Sequence, residues 1–235
     1  MILLSKELRI LLRNRSFILF EALCSLFLGL LGAALGFGMS ALSPESSAFG
    51  SAKAIWLCCG PLLLAALIFG LYPKSEDARE LLNGGLENLL STPLALEDFM
   101  RGKIAAMFLS IYIPTGLFTA ALSVPAELYL GAIMLFLILP LFVLGIISIY
   151  VASFLTSAQP VRAAEMPMTL SAILIFVVSY MPMLYYRIFH TPLILSTTHG
   201  LIIAGIAALG FGIVGYMRLK SAIQRKETIV LLRCG

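Results

Sequence analysis

Long apolar runs, several of them exceeding twenty residues, alternate along this chain with shorter polar segments. About 20 residues of apolar helix cross the hydrocarbon core of a bilayer. A transmembrane β-barrel would show short segments of alternating polarity instead. Only 12% of the residues are charged, whereas soluble domains carry about 25%. The sequence therefore predicts an all-α integral membrane protein.

The apolar runs predict six transmembrane helices in a single transmembrane domain that covers residues 1–235. The spans are predicted at residues 17–42, 54–72, 104–124, 128–155, 168–186 and 193–217. A short helix that dips into the membrane is conceivable within 187–200. One connection, 74–103, is far longer than two neighbouring spans need.

A basic amphipathic helix is predicted at residues 1–15, before the first span. Leucines recur there at helical spacing, and basic residues lie between them. The basic residues are Lys6, Arg9, Arg13 and Arg15. Such a helix lies in the membrane interface, where its basic groups meet anionic headgroups. We predict that it lies on the membrane surface.

The basic residues are divided very unequally between the two sides of the predicted bundle. Of the 16 Lys and Arg residues, only Lys53 and Arg187 fall in the connections opposite the N-terminus. Cytoplasmic connections carry an excess of Lys and Arg. The sequence therefore predicts a multi-pass protein of the plasma membrane, with both termini and the 74–103 connection in the cytoplasm.

The predicted spans carry almost no chemistry of their own. Glu21 is the only acidic residue within a span, near its cytoplasmic start, so no proton relay or ion-binding carboxylate is expected at mid-membrane. No catalytic motif, metal-ligand set or phosphate-binding loop is present. We therefore expect no enzyme activity, no bound cofactor or metal, and no nucleic-acid partner. The four cysteines predict no disulfide framework.

Small residues recur at four-residue spacing in two of the spans. Gly32 and Gly36 form a G-x-x-x-G pair in the first, and Ala208 and Gly212 are spaced in the same way in the sixth. This spacing lets helices approach closely. The contact could lie within one chain or between two copies of it.

The 74–103 segment predicts two or three short amphipathic helices of mixed charge. Leu86, Leu89 and Leu90 lie on one helical face after Gly84-Gly85, Pro93 ends that turn, and a further short helix is expected at 94–100. The segment could pack on its own bundle or dock a soluble partner. Its composition does not decide between the two.

The order of these elements resembles the permease subunits of type-two ATP-binding-cassette exporters. The helix at 1–15 matches through its K-E-L-R-x-x-x-R pattern, and the long connection matches through G-x-L-E-x-L-L-x-T-P-L-x-x-x-x-F-x-x-G-K. The resemblance implies that the helix at 1–15 is an elbow at the membrane surface. The matching residues include Lys6, Glu7, Leu8, Arg9, Arg13, Arg79, Glu80, Gly84, Leu86, Glu87, Leu89, Leu90, Thr92, Pro93, Leu94, Phe99, Gly102 and Lys103. Two departures are that Leu81-Leu82-Asn83 precedes Gly84 and that Gly85 replaces a threonine.

The resemblance implies that the long connection contains a coupling helix seated on a separate cassette ATPase. The residues implied in coupling are Arg79, Glu80, Gly84, Leu86, Glu87, Leu89, Leu90 and Pro93. It also implies a working unit of two ATPase copies, which bind ATP and Mg²⁺, and a second permease subunit, identical or different. Membrane lipid is a further expected partner. The charge-poor spans favour a hydrophobic or amphipathic substrate.

Alternative functions remain open at the level of the sequence. A haem-export permease of the cytochrome c maturation type has a similar size and short outer connections, and His190 and His199 would be its candidate contacts. A non-transporting assembly or scaffold protein would use the long connection to bind something else. A channel is the third alternative, although no charged ring or filter-like segment is seen.

Overall fold

A computed structural model describes residues 15–40, 48–71, 96–125, 128–156, 169, 173, 176–177, 180–190 and 194–234. Every regular element within these ranges is helical. The helices with defined ends are α1 (Arg15–Ser40), α2 (Ala48–Leu71), α3 (Leu96–Ser123), α4 (Tyr129–Thr156) and α5 (Thr197–Cys234). Residues 180–189 are helical as well and precede α5. The prediction of an all-α protein is confirmed for these ranges.

Three of the described helices are long and apolar enough to cross a membrane. Their apolar stretches run over Gly50–Phe69 in α2, Tyr129–Ser153 in α4 and Thr197–Arg225 in α5. Shorter apolar stretches occupy Ala22–Gly38 in α1 and Met107–Ser123 in α3. The large apolar side chains on the outward faces of these helices are widely exposed. This combination indicates a membrane-embedded protein.

The helices extend beyond the predicted spans because helix ends and membrane boundaries have different physical causes. Helix α2 begins at Ala48, before the predicted span, and α5 continues to Cys234 through residues 218–234, which contain neither Gly nor Pro. The short helix expected at 94–100 is not separate. From Leu96 onward it forms the first turns of α3, which runs without interruption into the apolar stretch.

Helices α1 and α3 lie side by side and run in the same direction. A Cβ atom placed on Gly32 would lie 2.7 Å from the carbonyl oxygen of Phe118, and one on Gly36 would lie 2.7 Å from that of Leu122. From the first contact to the second, the position rises by four residues on α1 and by four residues on α3. The two helices are therefore parallel. The G-x-x-x-G pair therefore packs within this chain.

Helices α4 and α5 form a second parallel pair with an equally close contact. A Cβ atom on Gly145 would lie 2.5 Å from the backbone carbon of Phe211, and one on Gly215 would lie 2.5 Å from the carbonyl oxygen of Gly145. Nearer the start of α5, Gly205 faces Ile138. Contacts thus advance together along both helices.

Helix α2 runs parallel to this pair, and α3 runs antiparallel to α4. Gly200 at the start of α5 packs on Ala54 near the start of α2. Gly116 of α3 faces Phe136 of α4 across the short turn that joins them. Hence α2, α4 and α5 begin at one end of the bundle, where α1 and α3 finish. We call this the α2–α5 start.

The core lies among α2, α3, α4 and α5. Phe69 of α2 meets Tyr150 of α4 with ring centroids 5.3 Å apart, and Phe142 of α4 meets Phe211 of α5 at 5.2 Å. A smaller cluster attaches α1 through Leu28 to α2 and α3. Helix α4 supplies more of the fully buried large side chains than any other described helix, so it is the central element of the described bundle.

Candidate functional site

The residues predicted to couple this chain to an ATPase lie outside the described residues. They are Arg79, Glu80, Gly84, Leu86, Glu87, Leu89, Leu90 and Pro93. The same holds for Lys6, Arg9 and Arg13 of the predicted elbow, whereas Arg15 is the first residue of α1. Both sites therefore stay predictions.

The end of the predicted coupling segment is nevertheless described, and it belongs to a helix that carries the shorter apolar stretch Met107–Ser123. Phe99, Gly102 and Lys103 belong to α3, which continues to Ser123. Glu97 and Asp98 belong to the first turn of this helix. A displacement of the 96–103 turns would therefore be passed directly to the apolar part of α3.

The buried polar side chains of the described residues are all serine or threonine. On α3 the hydroxyls of Thr115, Thr119 and Ser123 each donate a hydrogen bond to the carbonyl four residues earlier, at 2.5–2.7 Å. Ser25 on α1 has a buried hydroxyl without a hydrogen-bond partner among these residues. Hydroxyls bonded to their own helix do not ionise, so these three side chains supply weak polarity without a charge.

The α2–α5 start is held together by polar contacts between two distant parts of the chain. The backbone N–H of Leu195 donates to the hydroxyl of Ser51 at 2.9 Å, and Ser51 is fully buried. The thiol of Cys58 lies 3.5 Å from the carbonyl oxygen of Thr197. Neither Cys58 nor Cys59 forms a disulfide. These contacts fasten the segment before α5 to the first turns of α2.

His199 caps the N-terminus of α5. Its Nδ1 accepts a hydrogen bond from the backbone N–H of Ser196 at 3.3 Å and lies 2.7 Å from the Ser196 hydroxyl. Ser196 is the residue before the helix, and His199 is its third residue. This is the arrangement of a capping box, with histidine where Glu or Gln is usual. His199 thus has a local structural partner.

His190 ends the 180–189 helix in a left-handed conformation, with φ of 54°. Its backbone N–H donates to the carbonyl of Tyr186 at 2.8 Å. The left-handed region is uncommon for residues other than glycine, and histidine is among those that tolerate it. The residue therefore closes the helix in the manner of a C-terminal cap.

An open pocket of about 630 Å³ follows one side of the helical segment that His190 ends. Its described lining consists of Phe176, Tyr180, Met183, Leu184, Tyr186, Arg187 and His190. The wall is mainly apolar and aromatic, and Phe176 and Tyr180 are in ring contact at 4.5 Å. The polar groups are gathered toward Arg187 and His190. Such a combination suits an elongated ligand that is apolar at one end.

Helix α2 contacts this same segment through an aromatic pair. The rings of Trp56 and Tyr180 are 6.2 Å apart and meet edge to face, at 84°. Lys53 precedes Trp56 by three residues and therefore shares its helical face. Lys53 is half-buried and Arg187 is exposed. The two cations that the sequence assigns to the outer connections thus belong to neighbouring elements.

The sequence contained only a partial signal for this pocket. Lys53 and Arg187 stood out as the minority of basic residues, but the aromatic residues beside them were indistinguishable from an interfacial belt. Within the described residues, no group of three or more His, Cys, Asp or Glu side chains could hold a metal ion. A comparison of the chain with protein-family models, curated proteins and solved structures found no match.

Proposed function

We propose that this chain is the permease subunit of a type-two ATP-binding-cassette exporter. It would move a hydrophobic or amphipathic substrate with energy from a separate ATPase, as one of two permease subunits. The observation that carries the proposal is the continuity of α3. The segment with the coupling motif runs into this helix, so an ATPase that displaces the segment would move a membrane-embedded element.

The directions of the helices support a six-span topology. Helices α4 and α5 are parallel neighbours, so the chain between them has to return across the bundle. Residues 180–189 are helical and end beside the α2–α5 start, as a fifth span running in the opposite direction to α4 would. With α1, α2 and α3 alternating in direction, this gives an even number of crossings. Both termini would then lie on the same side, which the positive-inside rule assigns to the cytoplasm.

The chemistry of the described helices supports an external energy source. The buried polar groups among the side chains that the structure describes are hydroxyls, whereas ion-coupled transporters use buried carboxylates or histidines as ion sites. An ATPase partner supplies the energy without requiring such groups. A hydrophobic or amphipathic substrate also agrees with the apolar surfaces these helices present.

The two parallel pairs suggest how the movement is transmitted. Backbone contacts at Gly32 and Gly36 join α1 to α3, and those at Gly145 and Gly215 join α4 to α5. Closely packed helix pairs move as units because their backbones leave no room for independent sliding. A push on the start of α3 would therefore carry α1 with it. In this proposal, the α1–α3 pair moves against the rest of the bundle.

The test is co-purification from native membranes in mild detergent, followed by an ATPase assay. Glu87→Arg reverses a charge in the coupling motif, and we expect it to release the ATPase or to separate hydrolysis from transport. Glu227→Arg is the matched control, because it makes the same change on α5 outside that motif. A chain that purifies without any ATPase would favour the scaffold alternative. Equal effects of both variants would remove the motif from the coupling function.

The haem-export alternative receives support from one feature, the position of His190 in the wall of the pocket. His199 is already used in the cap of α5 through its Nδ1. Haem binding by the purified chain would show as a Soret absorbance band with added haemin. If His190→Ala leaves that band unchanged, the alternative loses the contact that favours it.

A further inference from the structure

The pocket on the helical segment that His190 ends has a cationic rim and an aromatic wall, and nothing in the exporter proposal uses either. The wall is formed by side chains such as Phe176 and Tyr180, and Arg187 lies at the rim. Residues on the neighbouring turns, including Val177, Met181 and Ile188, are exposed and apolar. The pocket therefore opens toward the surroundings that these side chains face, which in a membrane are lipid.

Lys53 shares the α2 face of Trp56, which contacts this segment, and so supplies a second cation near the pocket. Tyr180 is in contact with Trp56, and Lys53 lies one helical turn from Trp56, about 4.5 Å along α2. Arg187 lies two turns beyond Tyr180, about 10 Å along its own helix. The hydrogen bond from Leu195 to Ser51 fixes the chain that follows His190 to this end of α2. Both cations therefore lie on the same side of the aromatic pair, toward the α2–α5 start.

No described residue near this end supplies a compensating negative charge. The described ranges 33–40, 48–58, 115–125, 128–138, 180–190 and 194–204 contain no Asp or Glu, and Glu45 and Glu127 of the connections lie outside the described residues. Long basic side chains extend their charged ends toward the interface while their stems cover apolar surface. An anion at the interface would meet Lys53 and Arg187 together. An acyl chain would follow the aromatic wall below them.

We propose that this pocket binds an anionic phospholipid of the bilayer, with its phosphate between Arg187 and Lys53 and an acyl chain along Phe176 and Tyr180. The proposal does not depend on the ATPase. It would hold for a scaffold as well as for an exporter. A free aqueous anion fits less well, because most of the pocket wall is apolar.

Trp56 provides the readout, because it is the only tryptophan in the chain and it contacts the pocket residue Tyr180. The full chain is reconstituted in phosphatidylcholine vesicles that contain either brominated phosphatidylglycerol or brominated phosphatidylcholine. Bromine quenches tryptophan fluorescence at close range. We expect the brominated phosphatidylglycerol to quench at a mole fraction several-fold lower than the brominated phosphatidylcholine.

The variants separate a built site from general surface charge. Arg187→Gln and Lys53→Gln should each reduce the preference for phosphatidylglycerol about fivefold, as expected for one cation near a lipid phosphate. Arg187→Lys should retain most of it. Lys220→Gln is the control, because Lys220 is exposed on α5 away from the α2–α5 start, and it should leave the preference unchanged. Circular dichroism checks that each variant remains helical.

Three results would overturn the proposal. The first is equal quenching of the unaltered chain by both brominated lipids. The second is an equal loss of preference in Lys220→Gln, which would indicate attraction to the whole surface. The third is relief of quenching by inorganic phosphate, which would assign the cations to an aqueous anion. Because the variants are assayed without any ATPase, failure here leaves the exporter proposal standing.

Discussion

At the scale of single residues, the two histidines show how one side-chain type serves two backbone purposes. His199 accepts a hydrogen bond at the start of α5. His190 adopts a left-handed conformation at the end of the preceding helix. Neither use requires a metal or a cofactor. The short connection between the two helices is therefore bounded on each side by a histidine that stabilises a helix end.

The cap at His199 gives a stability prediction with a built-in control. His199→Ala removes the acceptor for the Ser196 N–H and should lower the free energy of unfolding by about 1 kcal/mol. His199→Gln restores the usual capping box and should retain most of that stability. Thermal unfolding of the purified protein in detergent measures both. Equal losses in the two variants would show that the imidazole acts through something other than the cap.

At the scale of elements, the close approach of α4 and α5 depends on glycine at specific positions. A methyl group on Gly145 would meet the backbone of Phe211, which cannot rotate away. Gly210 lies on α5 only one residue earlier in sequence than Phe211, yet a methyl group there would meet nothing within 4 Å. The same residue type is thus required at one position and replaceable at the other.

Alanine substitution at these two glycines tests that difference directly. Gly145→Ala should lower the free energy of unfolding by about 1–3 kcal/mol, because it overpacks a backbone contact. Gly210→Ala should be neutral or stabilising, since alanine favours helix over glycine by about 1 kcal/mol. Thermal unfolding in a single detergent compares the pair. A loss of stability at Gly210 as large as that at Gly145 would contradict the packing described.

At the scale of the whole molecule, the parallel arrangement of α4 and α5 is the feature that determines topology. Neighbouring helices joined by a short turn are antiparallel, as α3 and α4 are. Helices α4 and α5 are parallel, so their connection has to cover the length of the bundle. The crossing between α4 and α5 is therefore inferred from the packing of the two helices and not from the number of apolar runs.

Labelling of introduced cysteines tests the crossing. In a chain without its four natural cysteines, Thr156→Cys and Ser221→Cys should react with a membrane-impermeant maleimide from the cytoplasmic side only. Thr198→Cys should react from the opposite side only. All three positions are exposed. Labelling of positions 156 and 198 from the same side would rule out a crossing between α4 and α5.

The sequence predicted the helical class and the approximate positions of the apolar helices, because an apolar run of this length has few other stable structures. It did not predict that α3 begins at Leu96. An apolar run marks the part of a helix that lies in the membrane, whereas the backbone hydrogen bonds of the helix can continue beyond that part. The small-residue pair at Gly32 and Gly36 indicated close packing but not its partner. The cap at His199 was missed because histidine replaces the usual Glu or Gln.

The pocket could not be predicted because its parts come from distant places in the chain. Trp56 and Tyr180 are more than one hundred residues apart, and each taken separately is typical of an interfacial aromatic residue. Only their ring contact shows that the part of α2 with Lys53 lies next to the helical segment with Arg187. The predicted coupling residues differ in this respect, because a single local motif in the sequence identifies them. They lie outside the described residues.

The position of α5 also has a consequence for how this protein is made. Helix α5 packs on α2 and α4, and its contacts include Ala54, Cys58 and Gly145. These partners emerge from the ribosome well before α5 does, and chains are synthesised from the N-terminus at about 5–20 residues per second. Their contact faces must therefore stay covered by lipid or by the insertion machinery for several seconds. Assembly of the bundle thus waits for the last helix to arrive.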